Sequence, residues 1–268
     1  MAVGRNRSGS MGCSMLLAAA LLMLLGGCES ADRKAMKAAA EALRQDDYDQ
    51  ATILANEALD NSPKPDVAAE AYYIRGRAAE QSPATSRAQL QANLQRARSS
   101  YIEALRNNPP KKLQTYIRVS LGKVAFFQDD FATAAQQLAA AYPQLDDKDL
   151  KGGALYYLAK SQQRGGQFVV ADSLMATVMK EFEGSEWARR AADTRGARAF
   201  YVQLAIYKIQ ASAELAIKAL RQRSLTPLLM RDAQQRLLLR LGPFATYAQA
   251  RDMRDKVALL FTDAMVIP

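Results

Sequence analysis

The sequence predicts a mainly α chain, a solenoid of helical repeats, followed by a small α+β domain of βαββαβ order with a four-stranded antiparallel sheet. Three observations carry this expectation. Small residues recur seven apart, each set preceded by an aromatic or a leucine, in four segments between Tyr48 and Val178. From Ala199 the pattern changes to the strand-forming run Tyr201-Val-Gln-Leu-Ala-Ile-Tyr207. The tail beyond it then repeats its own order at a single offset of 37, which sets Val202 on Leu239 and Tyr207 on Phe244.

Composition narrows the function before any element is placed. The 268 residues carry a formal charge of +9, which favours an anionic partner without choosing one. Histidine is absent and the cysteines are two, Cys13 and Cys28. That removes the commonest general base, nearly all zinc and copper sites, and Ser-His-Asp or Cys-His chemistry. No glycine-rich phosphate loop is present. The chain is expected to be a binder and not an enzyme, with no cofactor and no metal.

The first element is an address. Arg5 and Arg7 precede the apolar run from Leu16 to Leu25, and Gly26-Gly27-Cys28 follows. A basic start, a short apolar stretch and small residues describe a secretory signal. The run is about half the ~20 residues of a membrane-spanning helix. Leu25-Gly26-Gly27-Cys28 resembles a bacterial lipobox. The resemblance implies removal of residues 1–27 and lipid attachment at Cys28, which would hold the mature chain to a membrane. Glu29, in place of an aspartate after the cysteine, implies the periplasmic face of the outer membrane. Export then excludes nucleic acid as a partner.

The second element, residues 28–197, is the helical scaffold. Tyr48, Ala51, Ala55 and Ala58 recur in spacing as Leu94, Ala97, Tyr101 and Ala104, as Phe131, Ala134, Leu138 and Ala141, and as Phe168, Ala171, Met175 and Val178. Small residues two turns apart let a neighbouring helix approach closely, and proline ends the second helix of each pair. These units resemble the tetratricopeptide repeat. The first spacing, from Ala51 to Ala97, is longer than those that follow, and Gln81-Ser-Pro-Ala-Thr-Ser86 marks the extra loop. Acidic pairs at the turns, Asp46-Asp47 and Asp129-Asp130, suit the start of the next helix and need no catalytic role. In a stacked solenoid the first helices line a concave surface. Tyr73, Arg77, Tyr116, Lys123, Tyr156, Lys160 and Arg164 fall there, as a groove for an extended or acidic envelope protein or peptide. The alternative makes them solvated positions beside core tyrosines.

The third element is the tail, residues 199–268. It resembles the SPOR (sporulation-related repeat) domain through Val202-Gln203-Leu204 and Tyr207, then Leu239-Arg240-Leu241-Gly242-Pro243-Phe244 and Ala250. Ala205 and Ile206 depart from the family's small residues, and Ser212 stands where asparagine is usual. The resemblance implies binding to peptidoglycan, especially to glycan strands stripped of their stem peptides. Strand alternation points to the same surface: with Val202, Leu204, Leu239 and Leu241 packed on helices, Gln203 and Arg240 face outward. Tyr207 and Phe244 are placed to stack on sugar rings, and Ser212 completes the candidate glycan site. The tail holds ten Lys or Arg against five Asp or Glu. The expected function is therefore an outer-membrane lipoprotein that binds glycan strands and scaffolds envelope or cell-division proteins. The alternative is an assembly or secretion factor of the tetratricopeptide-lipoprotein type.

Overall fold

Two turns show how the helices are cut from the sequence. In Gln45-Asp46-Asp47 and again in Gln128-Asp129-Asp130, the middle aspartate takes a left-handed conformation, with φ of 59° and 62°. The next aspartate caps the following helix: Asp47 accepts from the Gln50 N–H and Asp130 from the Thr133 N–H. Gly166, at φ 83°, makes the same reversal further on. Pro63 and Pro109 follow the ends of their helices at Asp60 and Arg106, as expected, and a second proline beside each starts a helix: Pro65 is the first residue of the helix to Gln81 and Pro110 caps the helix from Lys111.

The computed structural model describes residues 31–268 apart from positions 62 and 233. The expected signal segment, residues 1–27, and Cys28 lie outside the described residues. The helices run α1 (Ala31–Arg44), α2 (Tyr48–Asp60), α3 (Pro65–Gln81), α4 (Arg87–Arg106), α5 (Lys111–Phe127), α6 (Phe131–Ala141), α7 (Lys148–Arg164), α8 (Phe168–Glu181) and α9 (Glu186–Thr194). The tail continues with β1 (Phe200–Tyr207), α10 (Gln210–Arg221), β2 (Leu228–Arg231), β3 (Leu237–Phe244), α11 (Tyr247–Val257) and β4 (Met265–Ile267). The chain divides into two compact units, up to Leu158 and from Ala159 onward.

In the first unit each helix packs on the next in sequence, from α1 to α6. The core is a string of small clusters between neighbours. One joins Met36, Ala39, Ala51, Ala55 and Ile74; the next joins Tyr73, Leu94, Ala97, Tyr101 and Ile117. The spaced residues read from the sequence are the buried ones: Ala51, Ala55, Ala58, Ala97, Tyr101, Ala104, Ala134, Leu138 and Ala141 are wholly covered. Close approach has a second half that the spacing did not announce. A Cβ on Gly76 would stand 2.5 Å from the Tyr101 ring, and one on Gly122 would stand 2.7 Å from Leu138. Large side chains of α4 and α6 thus seat on bare backbone of α3 and α5.

The second unit holds the four-stranded antiparallel sheet, in the order β2-β3-β1-β4. It also contains α8 and α9. Phe168 of α8 packs on Phe200 with ring centres 5.4 Å apart, and Phe200 meets Tyr247 edge-on. The Arg164 guanidinium lies over the Tyr247 ring. Asp172 accepts from the Gly196 N–H and pairs with Arg198. The sheet's core therefore continues into the last helix pair.

Candidate functional site

Alternation along the two central strands defines the site. Val202, Leu204, Leu239 and Leu241 are buried, whereas Gln203 and Arg240 are half-buried. Both α10 and α11 pack on the central strands, whose buried residues Phe200, Val202, Leu204, Leu237, Leu239 and Leu241 form the covered side; Leu238, of the opposite parity, is buried as well. Among the described residues, no other helix of the tail packs on the opposite side of the sheet. On it, Gln203 and Arg240 stand directly opposite each other in the β1–β3 ladder. The offset of 37 relates the two halves, so residues that are equivalent by duplication become partners only on the internal two-fold axis. That axis passes through Gln203 and Arg240.

The pair is joined by a hydrogen bond, with Arg240 Nη2 donating to Gln203 Oε1 at 3.3 Å. Arg240 Nη1 makes only a weak contact with the Met230 sulfur, and Nε is buried with no partner. No carboxylate pairs with Arg240 among the described residues. Burial pulls its pKa below the usual guanidinium value, against a smaller opposite pull from Tyr201. The cation is partly stripped of water without a counter-ion, which is the electrostatic condition for recruiting an anion.

The surroundings are more apolar than the sequence suggested. Residues opposite one another in an antiparallel ladder share a face. Leu228 stands opposite Arg240, Met230 and Ile206 opposite Leu238, and Met265 opposite Gln203. Ile206, Met230 and Met265 are exposed. Tyr201, two residues before Gln203, lies on this face and was missed. Its signal was the same alternation that selected Gln203. Gly242 makes room for it: at φ 127°, a Cβ there would sit 3.0 Å from the Tyr201 ring, 3.0 Å from the Phe200 carbonyl and 3.2 Å from the Phe244 ring.

Three expected members do not converge on the pair. Tyr207 ends β1 opposite Leu237, and Phe244 ends β3 opposite Phe200, so they stand at opposite ends of the ladder. Ser212 is exposed on α10, which belongs to the covered side. The cause is the two-fold relation, which drives equivalent positions apart in proportion to their distance from the axis.

The expected groove also changes character. Tyr73, Tyr156 and Lys160 are buried, and the Arg77 side chain is only 12% exposed. Arg77 donates to the Tyr73 hydroxyl and lies 3.9 Å from Glu80, which accepts from the Tyr101 hydroxyl at 2.5 Å and pairs with Lys123 at 3.5 Å. Burial alone would raise the Glu80 carboxyl; Lys123 and Arg77 outweigh it and hold it below its ordinary value. Lys160 donates to Gln163 at 2.7 Å, and burial, with Arg164 nearby, lowers its ammonium to about 7. Tyr116, Lys123 and Arg164 keep intermediate exposure, as does Arg77 with its side chain mostly covered. Tyr73 and the Arg77 side chain are interior because α3 packs against α1, α2, α4 and α5 at once, and Tyr156 and Lys160 belong to α7, most of whose residues are buried.

Family comparison decides the identity of the sheet. The SPOR domain model matches residues 196–268. The tail is a SPOR domain. Such domains are in general peptidoglycan-binding modules of cell-division proteins, and their ligand implies a protein of the cell envelope facing the periplasm. No curated protein and no solved structure matches the chain. Among the described residues no helix is long and apolar enough to cross a membrane.

Proposed function

We propose that this SPOR domain holds glycan strands on its uncovered sheet face, with Arg240 and Gln203 at the centre and Tyr201 beside them, and that the protein binds without catalysing a reaction. The single observation behind this reading is the partly desolvated Arg240, with no carboxylate partner among the described residues. A glycan strand freed of stem peptides carries lactyl carboxylates where the intact strand carries amides, and a guanidinium discriminates between them by charge. Gln203 supplies an amide for sugar hydroxyls and N-acetyl groups. The helical unit serves as a scaffold of tetratricopeptide type for envelope or division proteins, and a lipid on Cys28 anchors the chain to the outer membrane. Retention of the full chain on amidase-treated against untreated sacculi tests the binding. Treated sacculi are expected to retain more. Arg240→Ala should weaken retention about tenfold, or ~1.4 kcal/mol, and erase the difference. Equal retention of wild type and variant would overturn the assignment.

A further inference from the structure

The loop from Gln81 to Ser86 and the long helix after it have no part in the glycan reading, yet they build a cleft. Helix α4 has 20 residues against 13 in α2 and 11 in α6. Its extra turns and the loop wall off a space of about 750 Å³ over α3. That lies within the ~300–1,000 Å³ of small-ligand pockets. The turn before α2 and that helix's first residues form one side, α4 the other, and α3 the floor.

The lining is polarised. Asp46, Asp47 and Asp49 stand on the α2 side. Tyr48 donates to one Asp46 oxygen and the Gln50 N–H to one Asp47 oxygen, and a carboxylate accepts at both oxygens. Arg75 rises from the floor, stacked on Tyr72, and bridges the walls by donating to Asn56 of α2 and to Ser100 of α4. Arg96 on α4 spends one bond on the buried Asn93 and is otherwise exposed. Five donors per guanidinium leave N–H groups of both arginines unused by these bonds.

We infer that this cleft is a binding site for a short zwitterionic peptide, its carboxylate held by Arg96 and Arg75 and its ammonium by Asp49 and Asp46. Charge of both signs on facing walls excludes neutral ligands from the best fit and orients the chain of the ligand between them.

The test is titration of the full chain with the tetrapeptide Ala-Glu-Lys-Ala, free at both ends, against acetyl-Ala-Gln-Met-Ala-amide. Saturable binding of the charged peptide is expected, at least about tenfold tighter than the neutral one. Arg96→Gln and Asp49→Asn should each weaken it about fivefold or more; Asp49→Asn, at an exposed position, should leave the melting temperature unchanged, whereas Arg96→Gln should lower it slightly through the lost bond to Asn93. Arg75 is unsuitable because its bridge holds the walls. Equal binding of the two peptides, absence of saturation, or binding unmoved by both substitutions would overturn the site.

Discussion

Arginine is used in two opposite ways in the two units. In the helical unit Arg77 is buried beside Glu80 and Tyr73, within a network that also takes in Tyr101 and Lys123. In the sheet Arg240 is partly buried with a glutamine for company and, among the described residues, no carboxylate. A buried charge with partners holds elements together, and removing one partner strands the others. A partly desolvated charge without a counter-ion adds no stability and is free to meet a ligand. The contrast separates scaffold from site more sharply than residue type or exposure does.

The largest expected effect breaks the first half of that comparison. Arg77→Ala should cost the helical unit about 3 kcal/mol in denaturant unfolding and leave glycan retention intact, whereas Arg240→Ala should do the reverse. A loss of retention with Arg77→Ala would dissolve the distinction. Next, Gly242→Ala forces a Cβ against the Phe200 carbonyl at a left-handed φ and should destabilise the sheet by roughly 1–3 kcal/mol, read as a fall in the second unit's melting temperature.

A third measurement is pH-dependent. Lys160 releases its proton near pH 7 in the folded protein, against an ordinary value of 10.5. Between those values the unfolded chain holds the extra proton, so stability rises with pH across this window and the penalty is full below about 7. Melts from pH 6.5 to 9.5 should show the rise, and Lys160→Met should flatten it. The smallest effect is Tyr201→Ala, which should weaken glycan retention by about 0.5–1 kcal/mol without moving the sheet's stability beyond the loss of one half-buried ring. An unchanged affinity would confine the site to Gln203 and Arg240.

Much of the tail was legible because duplication is a linear property. The offset of 37 paired the halves, and alternation sent Gln203 and Arg240 to one face. That they are ladder partners was not legible, since a two-fold axis exists only once β1 and β3 run antiparallel. The same axis explains why Tyr207 and Phe244, as firmly matched by the offset, end far from the pair. In the helices, the spacing of Ala51, Ala55 and Ala58 named the buried face correctly. The face bearing Tyr73, Arg77, Tyr156 and Lys160 read as a surface because one-turn spacing identifies a stripe without saying what covers it.

The sequence by itself determined the periods: where helices turn, where the code switches to strands, and which residues are small enough for close packing. Those are local matters of backbone preference and side-chain spacing. Tertiary structure alone decided which polar stripe was buried, which arginine kept a partner, and that an insertion after α3 opens a polarised cleft. Each depends on residues distant in the chain meeting through a third element, and no local pattern records that meeting.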